Sequence, residues 1–413
     1  MRSRRLCCLL LSTVVAVLRA EAQSAPAVTA GDDASASHAP PASHAIPASP
    51  DAGRAAADVP SASFYAIDLS AALTPAELAA RLDGSRAVFV GETHTRYDDH
   101  LNQLAIIEQL HEHGAKLAIG VEYFERRVQP HIDDYIEGRI DEREFLRATE
   151  YFQAWGFDYR LYAPIFRYAR REGIPVRALN VPRSLPPAVA SVGVAGLSAE
   201  QRSLLPKDIE PAGEAYEARL RSAFEGHGGA SPGDFEHFVE AQLVWDEGMA
   251  ESAADYLASN PDRRMVVLAG SGHVAYGSGI PERLARRTHA SYAIVLNAGE
   301  ETERGAADFL LLGPERELPP AGVLGASFED RDGKCRIRSV AEHGAAAKSG
   351  LKKGDVLVSI DGQPVSSAAD VRVALWDKVP GDAVRIEVRR KRGGRAPLRI
   401  VNAELEAPAA TRG

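Results

Sequence analysis

The sequence predicts an α/β fold, a mainly parallel central sheet flanked by helices, followed by a small β-rich domain. Three observations carry that expectation. Between about residues 64 and 312, short near-continuously apolar runs recur, each long enough for one strand. Amphipathic runs with acidic starters and glycine stops separate them. From about Pro319 the pattern changes to short alternating segments broken by Gly354-Asp355 and Asp361-Gly362.

At the N-terminus, Arg2, Arg4 and Arg5 precede the apolar run "LCCLLLSTVVAVL", and Ala20-Glu21-Ala22 follows as an A-x-A cleavage signal. Residues 1–22 therefore read as a signal peptide, and the protein as exported to the periplasm or associated with the envelope. Cys7 and Cys8 lie at the start of the apolar run, whereas a lipobox cysteine would follow it, so a lipid anchor is not expected. After cleavage only Cys335 remains, too few for an intrachain disulfide. Residues 23–63, rich in Ala, Ser and Pro, bury too little to offset ordering entropy and read as a disordered linker; His38 and His44 within it read as solvated.

The strands expected next are "RAVFVGE" (86–92), "KLAIGVEYF" (116–124), "PVRALNV" (175–181), "RMVVLAGSG" (264–272) and "SYAIVLNA" (291–298). Their unbroken apolarity marks strands covered by helices on both faces. Helices are expected in "DDHLNQLAIIEQLHEHG", in "LYAPIFRYARREG" and in the long "GDFEHFVEAQLVWDEGMAESAADYLASNP". His111 and His113 stand two apart, so they share no helical face and read as surface histidines. The net charge of −9 argues against a nucleic-acid binder, and no phosphate-loop or dinucleotide fingerprint is present.

Open α/β sheets bind ligands beyond the carboxyl ends of their strands. Those ends carry Glu92 and His94, then Glu122, then Asn180, then His273. An unpaired buried polar group costs about 1–3 kcal/mol, so this concentration on one rim is read as a site. Asp246, on the long helix near Gln242 and Met249, needs a partner: His94 or His273 at the site, or Arg183 as a brace.

At these residues the chain resembles the ChaN family of haem-binding uptake proteins, within the Tiki/TraB-like superfamily. The resemblance spans about residues 70–312 and rests on "VFVGETHTRYDDHLNQ", "IGVEYFERRVQP", "YFQAWGFDYRLYAPIFRYARREGIPVRALNVPRSL", "QLVWDEGMAESAADYL" and "VVLAGSGHVAYGSGIPER". It implies haem at the rim, with Glu92, His94, Glu122 and His273 as site residues and Asn180 and Asp246 in matching segments. Haem ligation by tyrosine in the family makes Tyr123, Tyr151 and Tyr97 candidate ligands. The aromatic stretch 151–162 would wall the haem, in one version across a homodimer. Tiki-like and erythromycin-esterase-like relatives imply the alternative, a hydrolase of peptide or ester bonds. There His94, Glu122 and His273 would hold a divalent transition metal ion while a spare glutamate acts as general base.

The region 319–405, ahead of a short tail (406–413), resembles a PDZ domain of the bacterial protease-associated kind. The string from Ala347 through Gly350, Leu351, Gly354, Asp355 and Leu357 to Gly362 carries that resemblance. It implies that Gly322, Val323, Leu324, Gly325 and Ala326 offer backbone N–H groups to a peptide C-terminus, with a helix from about Ala368 to Trp376 as the facing wall. A scaffold in which only this groove matters is the third reading.

Overall fold

A computed structural model describes residues 71–226, 232–299, 303–391 and 396–408. The signal peptide and linker expected over 1–63 lie outside the described residues. Everything below belongs to the compact unit that includes Pro75–Gly413.

The first sheet has strands β1 (Ala87–Glu92), β2 (Leu117–Glu125), β3 (Val176–Asn180), β4 (Arg264–Gly270), β5 (Tyr292–Asn297) and β6 (Phe309–Leu311), in the order β3-β2-β4-β1-β5-β6. Every pairing in it is parallel. All residues of β1 and β2 are buried, as their unbroken apolarity requires when helices cover both faces. The helices that matter for the site are α1 (Tyr97–Glu112), α2 (Glu142–Ala148), α3 (Tyr151–Ala154), α4 (Ala163–Glu172), α5 (Glu214–Gly226), α6 (Pro232–Ser259) and the single turn α7 (Ser271–Val274). Gly173, at φ +63°, ends α4 in the left-handed conformation that glycine adopts without penalty.

Strand order explains why distant residues meet. The crossover from β1 to β2 skips a position that β4 later fills, so β2, β4 and β1 become neighbours. Their carboxyl ends deliver Glu122, His273 and the pair Glu92–His94 to one crevice, the position where such sheets bind ligands.

The second sheet is built from β7 (Ala326–Arg331), β8 (Lys334–Val340), β9 (Val356–Ile360), β10 (Gln363–Pro364), β11 (Ala383–Arg389) and β12 (Leu398–Glu404), ordered β12-β11-β9-β8-β7 with β10 on β9. Strand β7 is an edge, beside helix α8 (Ala368–Leu375). Cys335 is a buried thiol in this core, its pKa pushed up by burial to about 12. Helix α8 is apolar on two sides. Val371 and Ala374 face the β-rich core, whereas Val373 joins the core of the α/β sheet, as does Trp376 just past the helix end.

Candidate functional site

Glu92 ends β1 with none of its surface exposed. Its carboxylate accepts from His94 Nδ1 at 2.8 Å, Gln103 Nε2 at 2.8 Å and Tyr123 Oη at 2.7 Å, with His100 Nδ1 at 3.4 Å. Burial alone would raise its pKa, but His100 and His94 hold it well below the usual carboxylate range. Surrounded in this way, Glu92 orients His94. The structure places Glu92, expected as a catalytic group, behind the His94 ring, where its carboxylate accepts from Nδ1.

The turn after β1 is tied by Thr93 N–H donating to Asp99 Oδ2 at 2.7 Å. Burial, working against that bond, pushes the Asp99 pKa up to about 6. The His94 side chain keeps 12% of its surface exposed. Trp155 lies edge-on to its ring at 4.8 Å and Phe157 lies tilted to it at 5.1 Å. Burial opposes charge on this ring, but Glu92 and Glu122 outweigh it and raise the pKa.

On the other side of the crevice, His273 also keeps 12% exposure and repeats the arrangement. Its Nδ1 donates to Asp246 Oδ1 at 2.7 Å, and Asp246 Oδ2 accepts from Tyr216 Oη at 2.5 Å. Trp245 sits edge-on to the ring at 5.0 Å. Burial disfavours the imidazolium, yet Glu122 and Asp246 together push the His273 pKa up to about 9.

Glu122 lies between the two histidines. Its Oε1 is 3.7 Å from His273 Nε2, its Oε2 accepts the Gly270 N–H at 2.8 Å, and its backbone carbonyl accepts from Asn180 Nδ2 at 2.9 Å. Gly270 leaves room for the His94 ring, because a Cβ there would stand 3.1 Å from His94 Cε1, tighter than most contacts. The site is thus a chain of alternating charge: Glu92, His94, Glu122, His273, Asp246.

Among the described residues no group of three or more His, Cys, Asp or Glu side chains is placed to hold a metal ion. His94, Glu122 and His273 come together with a carboxylate beside each imidazole, His273 Nε2 standing 3.7 Å from Glu122 Oε1. Tyr123 and Tyr151, the expected candidate haem ligands, both lie in the core of the α/β sheet. The Tyr123 hydroxyl is committed to Glu92 and Tyr151 is fully buried, and burial raises both phenol pKa values well above normal. Tyr97 is half-buried against the core. Asp246 takes His273 as partner, not Arg183, whose guanidinium reaches the Gln153 carbonyl. His111 is less free than expected, since its ring bonds the Tyr168 hydroxyl at 3.0 Å.

Residues 78–284 match the family described as haem-binding uptake, Tiki superfamily, ChaN. The chain belongs to the ChaN family. Residues 322–396 match the PDZ domain. The ChaN protein of Campylobacter jejuni, solved with cofacially bound haem, shares 16% identity; the match covers 56% of this chain and 89% of that one, with a TM-score of 0.46. Protein RETICULATA-RELATED 5 of Arabidopsis thaliana is 28% identical over 56% of this chain and 34% of its own length. The periplasmic serine endoprotease DegQ of Escherichia coli is 30% identical over 30% of this chain and 26% of its own length. The chain therefore spans only about a third or less of either curated relative.

In the PDZ domain of this ChaN-family chain, the five expected loop residues divide in two. Gly322 N–H donates to the Lys378 carbonyl and Val323 pairs with Glu406, so neither N–H is free for a ligand. Ala326 opens β7. Leu324 and Gly325 use their carbonyls within the fold, but their N–H groups find no protein acceptor among the described residues. Two adjacent unused donors, with Gly325 at φ +66°, form the kind of concavity that receives a carboxylate.

Proposed function

We propose that this chain is an exported, envelope-associated haem-binding protein whose PDZ domain holds the C-terminus of a partner. One observation carries the haem reading. His94 and His273 each have Nδ1 committed to a buried carboxylate, so Nε2 is the ring atom each has left to offer, that of His273 standing 3.7 Å from Glu122 Oε1. Haem iron takes imidazole ligands braced in this way, and Trp155, Phe157 and Trp245 supply apolar walls around those rings. The donor set fits haem better than a divalent cation, which needs more ligand atoms than the crevice brings together. Bound haem would supply the iron, while the protein's own contribution is to fix both rings and limit water around them. Hemin titrated into the purified mature protein gives a shifted Soret band that saturates at stoichiometric concentration. A spectrum identical to free hemin removes this reading.

Glu122, wedged between two carboxylate-backed imidazoles, favours a second reading as a hydrolase that needs no metal. Glu122 would take a proton from water attacking a carbonyl carbon, and protonated His273 would give its Nε2 proton to the departing group. Turnover of ester or peptide substrates that disappears in Glu122→Gln supports it; wild type inert across such a screen rejects it.

A further inference from the structure

The wall of the PDZ groove is also part of the contact with the α/β domain. Ala368 N–H donates to Asp330 of β7 at 2.7 Å, so the start of α8 faces that edge strand. Arg372 and Leu375 follow Ala368 at one-turn spacing and continue the same row. The C-terminal end of the helix is held by the α/β domain. Trp376 stacks edge-on to Tyr159 at 5.1 Å, and Arg143 pairs with Asp377 at 2.7 Å.

Arg372 stands between these two contacts along the helix. Its Nη2 donates to the Gly156 carbonyl at 2.6 Å, and its guanidinium lies 4.4 Å from the centre of the Phe152 ring. Its Nη1 donates to the Phe152 carbonyl at 3.5 Å. The segment it grips, 152–156, leads into Trp155 and Phe157, the two rings against His94. A guanidinium held by neutral carbonyls and a ring gains from a carboxylate, which adds an opposite charge and can accept two parallel N–H bonds.

We infer that the PDZ groove prefers peptides with a free C-terminus and an acidic side chain facing Arg372, and that seating such a peptide draws Arg372 off Gly156 and loosens the Trp155–Phe157 cover over His94. This rests on the reading of the PDZ domain as a peptide binder. An added strand turns alternate side chains toward the helix, so the acidic residue belongs at the third position from the peptide's end.

The test uses the full mature chain and two fluorescein-labelled octapeptides with free C-termini, differing only in Glu or Gln at that third position. The Glu peptide binds about tenfold more tightly, a preference that Arg372→Gln abolishes. In wild type its binding also raises backbone hydrogen exchange across 151–157 several-fold, and in Arg372→Gln that exchange is high before any peptide is added. Equal binding of the two peptides, or selective binding with no change at 151–157, overturns the inference and leaves the groove reading intact. Binding of neither peptide removes the groove reading itself, and this inference with it.

Discussion

His273 Nδ1 donates to Asp246 Oδ1 at 2.7 Å from a strand-end turn to the middle of a long helix, and nearby Glu122 closes the other side of the ring. With its pKa pushed up from 6.5 to about 9, His273 binds its proton more tightly folded than unfolded. Its contribution to stability is full below about pH 6.5 and fades as pH rises through about 9. Wild type should therefore lose melting temperature between pH 6.5 and 9.5 by more than Asp246→Asn does. Parallel losses in the two proteins would show that the pair does not set the proton affinity.

Glu92→Gln leaves His94 and His100 without the anion that both face. Removing one member of a buried charged set costs about 3–5 kcal/mol, so the denaturation midpoint should fall sharply although the side chains have nearly equal volume. A loss under about 1 kcal/mol in urea unfolding would mean that Glu92 is not the anchor of this cluster.

Gly270→Ala places a methyl group 3.1 Å from His94 Cε1, tighter than ordinary contact. The backbone there, at φ −54°, tolerates alanine. Ring displacement should weaken hemin binding about tenfold, while the strain costs about 1–3 kcal/mol of stability. Unchanged affinity would place hemin away from this crevice.

Trp376→Ala empties a pocket between the two domains, where the indole meets Tyr159 and lies under Arg167 at 5.1 Å. The expected cost is about 3–5 kcal/mol. Calorimetry should then separate a single unfolding transition into two, one for each domain. A variant that still unfolds in one step would show that other contacts, such as Arg143–Asp377, suffice to couple them.

The sheet was legible in the sequence because fully buried parallel strands leave continuous apolar runs, and the strand-end polar residues stood out against them. Strand β6 escaped, being three residues long with Leu310 exposed. The support around the site was harder to read. His100 and Gln103, three apart on α1, look like an ordinary polar helix face until the fold turns them onto Glu92. Nothing in the sequence around Tyr216 announces Asp246, thirty residues away. The choice between metal ligand and ion pair also depends on which atoms face each other, which spacing alone does not specify.

Electron paramagnetic resonance of ferric hemin bound to the mature protein, with His94→Ala, His273→Ala and the double variant alongside, bears most directly on the role given to the crevice. The account predicts an imidazole-ligated signal in wild type, altered by each single substitution and absent in the double variant. A bound-hemin signal identical in all four proteins would contradict it.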